Sequence, residues 1–170
     1  PPTIMSKIKH LITILSISLT SALAQTATEP SLGAQGDAML KQNKFAEAIK
    51  LYDQALTQAG ESTAEEVIKK RNLLASKGWA LFRLNKKEES SALLKQRYEM
   101  VANAAKKYPD NRDIAKTQIS DLGALASKYN VRTEFDKKIK LELQAVALAD
   151  ALIAKHPNDQ TVLLAQYYAQ

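Results

Sequence analysis

The sequence repeats one short pattern three times, and this repetition limits the fold more than any other feature. The pattern is a glycine, four residues, a basic residue, one further residue and an asparagine. It occupies residues 36–43, 78–85 and 123–130. The second copy begins 42 residues after the first, and the third begins 45 residues after the second. A near-constant spacing of this length is typical of chains built from stacked supersecondary units.

Each copy predicts the end of one helix and the turn into the next. Its glycine is expected to let two helix backbones approach where a Cβ atom would clash. Its asparagine is expected to adopt the left-handed conformation that ends a helix and reverses the chain. The repeated pattern therefore predicts pairs of helices joined by short turns.

The spacing of apolar and breaking residues predicts helices throughout and no strand. Residues 45–56 carry apolar side chains at positions 45, 48, 49, 52, 55 and 56, which is the spacing of an amphipathic helix. Ser62 and Thr63, with Glu65 and Glu66, offer capping boxes, and Pro109 and Pro157 each close a helix. The predicted helices span residues 31–42, 44–59, 63–84, 87–107, 111–129, 133–155 and 159–170. Because the connections are short, neighbouring helices are expected to be antiparallel.

The segment from residue 31 to residue 60 resembles a tetratricopeptide repeat, a unit of two antiparallel helices. Met39 stands where tyrosine is usual, and Gly60 stands where a closing proline is expected. The later copies depart further, since Ser90 and Leu94 replace an alanine and an aromatic residue of the second helix. The expected structural positions are Gly36, Asn43, Ala48, Tyr52 and Ala55 in the first copy, Gly78 and Asn85 in the second, and Gly123 and Asn130 in the third.

The later copies have long helices that end in the turns Tyr-Pro-Asp and His-Pro-Asn, which are similar to the longer repeats of kinesin light chains. The resemblance implies an all-α fold over residues 31–170. In that fold, antiparallel helix–turn–helix repeats stack as an α-solenoid of about three units plus a trailing helix.

Residues 1–30 are expected to lie outside this fold. Residues 5–24 have a basic lead, an apolar run and an Ala-Leu-Ala cleavage pattern, which together predict a secretory signal peptide preceded by residues 1–4. The alternative is a membrane anchor, but the run is shorter than the ~20 apolar residues that a span requires. Residues 25–30 are expected to be a short linker. We therefore expect an exported, periplasmic or extracellular protein without a stable membrane span in the mature chain.

The last predicted helix is more apolar than the end of a repeat array should be. It carries Val162, Leu163, Leu164, Tyr167 and Tyr168. Natural arrays end in a capping helix with a polar outer face. We therefore expect either that the chain is truncated within a repeat or that this helix docks on another chain, which includes self-association with a second copy.

The residue inventory argues against catalysis. The chain has no cysteine and only two histidines, so thiolate and multi-histidine metal sites are excluded. No glycine-rich phosphate loop or serine elbow is present. The basic runs at 69–71, 86–87, 106–107 and 137–138 are not interleaved with aromatic residues, so they are interpreted as solvated helix faces. We predict no enzyme activity, cofactor, metal or nucleic-acid partner.

The resemblance also implies that the first helix of each unit lines a concave groove. The residues carried over onto this groove are Asp37, Leu40 and Lys41 in the first unit, Ser76, Trp79, Phe82 and Arg83 in the second, and Asp121, Ala124 and Lys128 in the third. Since Lys41, Arg83 and Lys128 occupy the same place in each copy, regular stacking would align them as a basic ladder.

Our hypothesis is that this ladder binds an extended or helical segment bearing carboxylates, with Trp79 and Phe82 as apolar anchors. Two alternatives stay open: the cations only favour their helix C-termini, and Trp79 packs between units. The predicted function is a non-catalytic scaffold of the bacterial cell envelope that binds proteins or peptides. The other functions considered are an accessory arm of a larger enzyme or sensor, a self-association module, and a binder of cell-wall polysaccharide, for which more exposed aromatic residues would be expected.

Overall fold

The structure is a computed structural model that describes residues 29–158, and every regular element among them is helical. The helices are α1 (Leu32–Lys41), α2 (Phe45–Gln58), α3 (Ala64–Arg83), α4 (Lys87–Lys107), α5 (Arg112–Ala126) and α6 (Phe135–Lys155). Each lies within three residues of its predicted bounds, so the all-α prediction is confirmed. The predicted signal segment and the trailing helix at 159–170 lie outside the described residues.

The helices pack in chain order within one unit that begins at Leu32. Consecutive helices contact one another along the whole series from α1 to α6. In addition the backbone of α3 approaches those of α1 and α5, whereas no such backbone approach occurs among α2, α4 and α6 within the described residues. The first helices of the three pairs therefore share one layer. This packing is consistent with a helical repeat.

Two of the three repeated asparagines turn the chain as predicted. Asn43 and Asn85 have φ values of 59° and 60°, in the left-handed region that ends a helix. The following residue closes each turn, since the Lys44 backbone N–H donates to Met39 O at 2.9 Å and that of Lys86 donates to Leu81 O at 2.9 Å. The first two units thus use one identical turn.

The third turn is built differently, and here the prediction was wrong. Helix α5 ends at Ala126, four residues before Asn130, and Asn130 does not adopt a left-handed conformation. Its side-chain oxygen instead accepts a hydrogen bond from the Arg132 backbone N–H at 2.8 Å. A side chain that bonds the backbone two residues on supports a turn by itself, so the longer connection to α6 needs no left-handed residue.

The repeated glycines also differ in how much space a Cβ atom would have at each position. A Cβ atom on Gly36 would lie 2.6 Å from the ring of Tyr52, so the close approach of α1 and α2 requires glycine there. On Gly78 a Cβ atom would make only ordinary contacts, and on Gly123 it would meet no atom within 4 Å. The close-approach prediction is confirmed for Gly36 and is wrong for Gly78 and Gly123.

Helix caps follow the sequence signals closely. Thr63 and Glu66 form a complete capping box at the start of α3, while Ser62 donates its backbone N–H to Glu66 at 2.7 Å instead of forming a box of its own. Helices α4 and α6 each end two residues before a proline, as predicted.

The ends of α4 and α6 hold equivalent places against the preceding connection. The Lys107 ammonium donates to Ser62 O at 3.2 Å, and the Tyr108 hydroxyl donates to the same oxygen at 2.6 Å. The Lys155 ammonium, 48 residues after Lys107, donates to Asp110 at 2.8 Å. These contacts fix each long second helix to the loop before its own unit.

The apolar core lies between the helix layers. Ala48, Tyr52 and Ala55 of α2 are buried, as the family positions predicted. One cluster joins α3, α4 and α5 through Val67, Val101, Ala104 and Ile114. A second joins α5 and α6 through Ile119, Leu122, Ala145, Ala149 and Leu152.

Candidate functional site

A row of cations and aromatic rings runs from the start of α2, over the end of α3, to the segment after α5. The Arg83 guanidinium lies 4.7 Å from the ring centroid of Phe45 and 5.7 Å from that of Trp79. Trp79 stacks on Phe82, with 5.7 Å between the ring centroids. The Lys128 ammonium then lies 5.6 Å from the ring centroid of Phe82. These five side chains are called the cation–aromatic row below.

The row is open to solvent. Trp79 is 52% exposed and Phe82 is 42% exposed, although large aromatic side chains ordinarily contribute to the core. An exposed apolar patch of this kind commonly marks an interaction surface. The alternative that Trp79 is buried between units is therefore wrong for this structure.

A cavity of about 330 Å³ lies beside the row, between α3, α4 and α5. Trp79 and Phe82 form one wall, and Ala124 and Lys128 form another. The remaining lining residues are Leu74, Ala75, Gly78, Ser90, Leu94, Arg97 and Ser127. Four of the predicted groove residues thus line one cavity, together with three residues of α4 that were not predicted.

A buried ion cluster lies behind this cavity. The Asp121 carboxylate is completely buried. The Arg71 guanidinium donates to it through Nε, at 3.1 Å to Oδ1 and 3.3 Å to Oδ2, and also through Nη2. The prediction that Asp121 faces the groove is wrong, because it presents no surface to a ligand. Arg71 likewise departs from the predicted solvated face of residues 69–71.

Arg97 is the second cation of this cluster, and its charge is only partly compensated. Its Nε lies 3.0 Å from Asp121 Oδ1, but the N–H direction gives no hydrogen bond, and this buried nitrogen has no other hydrogen-bond partner. Burial lowers the pKa of Arg97, and the neighbouring Arg71 lowers it further, against the opposing effect of Asp121. One carboxylate is therefore shared by two guanidinium groups.

A separate polar network joins the first three helices. The buried Tyr52 hydroxyl donates to the Asp37 carboxylate at 2.6 Å and also interacts with Ser76. Burial raises the pKa of Tyr52, and the bond to Asp37 raises it further. Asp37, predicted to face the groove, thus ties α1 to α2, and Ser76 of α3, also predicted to face the groove, lies near the same hydroxyl.

The predicted basic ladder is present in part. Arg83 and Lys128 both belong to the cation–aromatic row. The contacts that define the row do not include Lys41, whose side chain is exposed on α1, or the half-buried Leu40.

The sequence carried a signal for Arg71 and Arg97 that the groove argument did not use. Arg97 stands three residues after buried Leu94 and four before buried Val101, and Arg71 stands four residues after buried Val67 and three before buried Leu74. A charged residue within the apolar stripe of a helix must be buried with a partner or reach a cavity. Phe45 was assigned only to the amphipathic face of α2.

No protein-family model matches the chain, and neither a curated protein nor a solved structure matches it. Within residues 29–158, no group of three or more histidine, aspartate or glutamate side chains is placed to hold a metal ion. The helices described between those residues include none that is long and apolar enough to cross a membrane.

Proposed function

We propose that the chain is a non-catalytic scaffold that binds segments of proteins or peptides. In this proposal the six helices are three tetratricopeptide-like units of an α-solenoid, and the α1, α3 and α5 layer is its concave face. The contacts of α3 with both α1 and α5, and the shared turn at Asn43 and Asn85, support it. Repeat arrays of this type present extended concave binding surfaces.

The observation that carries the proposal is the exposed cation–aromatic row beside a cavity. Stacked aromatic side chains supply apolar contact area at a low cost in side-chain entropy, and arginine adds charge-assisted hydrogen bonds to carboxylates. Trp79 and Arg83 are the residue types that dominate binding energy in protein interfaces. An acidic segment with large apolar side chains fits this surface best.

Selection from a random dodecapeptide library tests the proposal. The purified chain should enrich peptides that combine acidic and large apolar residues. Each enriched peptide should then bind the Trp79→Ala and Arg83→Ala variants at least tenfold more weakly, since an aromatic anchor in an interface contributes about 2 kcal/mol or more and a contact to a charged group about 1.5–3 kcal/mol. Lys69→Ala is the matched control, because Lys69 is exposed and pairs only with Glu65 within its own helix among the described contacts.

Two results would contradict the proposal. One is a selection that enriches no peptide above the background of an unrelated helical protein. The other is an affinity that stays unchanged in both variants while their melting temperatures also stay unchanged.

Export to the cell envelope is part of the same proposal. If residues 5–24 are a signal peptide, expression of the chain in a bacterium should give a periplasmic product whose first residue is Gln25. Mass spectrometry of the purified product checks this, and a cytoplasmic product that retains residues 5–24 would contradict it.

Self-association is the second candidate function. Val131 in the connection before α6, and Phe135 and Leu143 in the first half of α6, are more than half exposed and offer apolar surface to a second copy. Light scattering over a hundredfold range of concentration should show dimers if this is the function. A constant monomer mass over this range would exclude self-association as the function.

A further inference from the structure

The ion cluster behind the cavity contains two positive charges and one negative charge. Arg71 and Arg97 share the single buried carboxylate of Asp121, and Arg71 takes all of the hydrogen bonds that the carboxylate accepts from the two arginines. Buried charges in proteins are ordinarily paired, because an uncompensated charge in a medium of low polarity is costly. A second anion near Arg97 would balance the cluster.

The cavity gives such an anion a way in. Arg97 lines the cavity from α4, and Lys128 lines it from the segment after α5. The Arg97 side chain keeps 15% of its surface exposed, whereas Asp121 behind it has none. An anion that enters from the groove therefore meets Arg97 before it meets the aspartate.

The apolar walls of the cavity determine which chemical groups can lie next to the anion. Trp79, Phe82, Leu94 and Ala124 are apolar, and the two serines that line it, Ser90 and Ser127, already donate their hydroxyl hydrogens to Gly78 O and Ala124 O. The charged hydrogen-bond donors for an anion thus come from Arg97 and Lys128 among the described lining residues, and the indole N–H of Trp79 is a neutral donor beside them. An occupant must combine one negative group with apolar surface.

We propose that Arg97 is the anion receptor of this cavity: its guanidinium takes one carboxylate of an acidic peptide whose neighbouring apolar side chain packs on Trp79 and Phe82. This inference rests on the proposed peptide-binding function and names the chemistry that the groove recognises. The carboxylate belongs either to an internal aspartate or glutamate or to the C-terminus of the peptide. A polyanion such as a nucleic acid fits less well, because the excess charge of the cluster is that of a single cation.

Trp79 makes the test site-specific, since it is the only tryptophan of the chain. Its fluorescence is followed while three tripeptides are added: N-acetyl-Leu-Glu-Leu-amide, its neutral analogue N-acetyl-Leu-Gln-Leu-amide, and N-acetyl-Leu-Gln-Leu with a free C-terminal carboxylate. At least one acidic tripeptide should bind about tenfold more tightly than the neutral one. The tighter of the two identifies the source of the carboxylate.

The preference for acid should depend on Arg97. In Arg97→Met the acidic and neutral tripeptides should bind within about twofold of each other, because the remaining cation, Lys128, is exposed and water screens its attraction for a carboxylate. Arg97→Lys keeps the charge but loses the planar fork, so it should retain only part of the preference. Arg112→Met is the matched control, since it removes an equal charge from an exposed position at the start of α5, whereas the cavity lies at the end of that helix. This variant should keep the full preference for acidic tripeptides.

The outcomes separate this inference from the proposed function. Equal binding of acidic and neutral tripeptides, or an acid preference that survives in Arg97→Met, overturns the inference while peptide binding stands. Tighter binding of an octathymidylate than of either acidic tripeptide also overturns it. If neither the tripeptides nor peptides from the library bind near Trp79, the proposed function fails together with it.

Discussion

Arg71 and Asp121, 50 residues apart in the chain, form a buried ion pair that joins α3 to α5. The pair connects the first helices of two successive pairs, which belong to one layer. It also ties the helix that carries Trp79 to α5, and Ala124 at the end of α5 and Lys128 just after it line the cavity. The stability of the fold and the shape of the site therefore depend on the same contact.

Removal of the shared carboxylate should destabilise the protein strongly. Asp121→Asn leaves the guanidinium groups of Arg71 and Arg97 buried without a counter-charge, so the free energy of unfolding should fall by about 3–5 kcal/mol. Urea denaturation measures this change. Asp113→Asn, at an exposed position of the same helix, should change the free energy of unfolding by less than about 1 kcal/mol. Equal effects of the two substitutions would argue against the buried cluster.

The two arginines of the cluster should respond in opposite ways. Arg71→Met removes every hydrogen bond between the arginines and the buried carboxylate, so the free energy of unfolding should fall by about 2–3 kcal/mol. Arg97→Met removes the excess charge and leaves the bonded pair intact, so stability should be unchanged or about 1–2 kcal/mol higher. Urea titration of both variants at pH 7 compares them. A larger loss in Arg97→Met than in Arg71→Met would show that the pairing is assigned wrongly.

The glycines of the repeated pattern give a second matched pair. In Gly36→Ala the new methyl group meets the Tyr52 ring, and the resulting overpacking should lower the free energy of unfolding by about 1–2 kcal/mol. In Gly123→Ala the methyl group meets no atom within 4 Å, and the higher helix propensity of alanine should raise stability by about 0.5–1 kcal/mol. Thermal unfolding followed by circular dichroism checks both signs. Stabilisation by Gly36→Ala would contradict the tight α1–α2 packing.

Tyr52 should make the protein sensitive to alkali. Its pKa is raised above the ordinary value of 10.0 in the folded state, because burial and Asp37 disfavour the phenolate. A raised pKa contributes stability that is fully present below pH 10 and is lost as the pH rises above it. Tyr52→Phe lacks this group, so its stability should fall less steeply than that of the parent protein between pH 10 and pH 11.5. Parallel slopes in the two proteins would show that the tyrosine pKa is not raised.

The sequence predicted local structure well because the signals for it are local. The left-handed turns at Asn43 and Asn85 and the capping box of Thr63 and Glu66 depend on residues only a few positions apart. The predicted left-handed turn at Asn130 is absent because α5 ends before this residue. Where α5 ends depends on its packing as well as on the asparagine. The predicted close approach of two helices at Gly123 is absent for a related reason, since the space around a glycine is set by helices distant in sequence.

The candidate site was predicted in part, and its missing portion lies on α4. The repeated pattern marked Arg83 and Lys128, and the neighbouring aromatics Trp79 and Phe82 followed from the same helix face. Arg97 belongs to a second helix, which the repeat argument assigned to packing alone. Its pairing with Asp121 is a tertiary contact between units, and no spacing within one unit predicts it.

Photo-crosslinking from position 79 tests the central claim, that the layer of first helices forms a peptide-binding groove. Trp79 is replaced by benzoylphenylalanine, and the protein is irradiated with an acidic, apolar peptide enriched from the library. A second variant carries the same group in place of Leu143, an exposed apolar residue of α6. Mass spectrometry should find the peptide attached at position 79 and not at position 143. Equal attachment at both positions, or attachment at 143 alone, would contradict a groove along α1, α3 and α5.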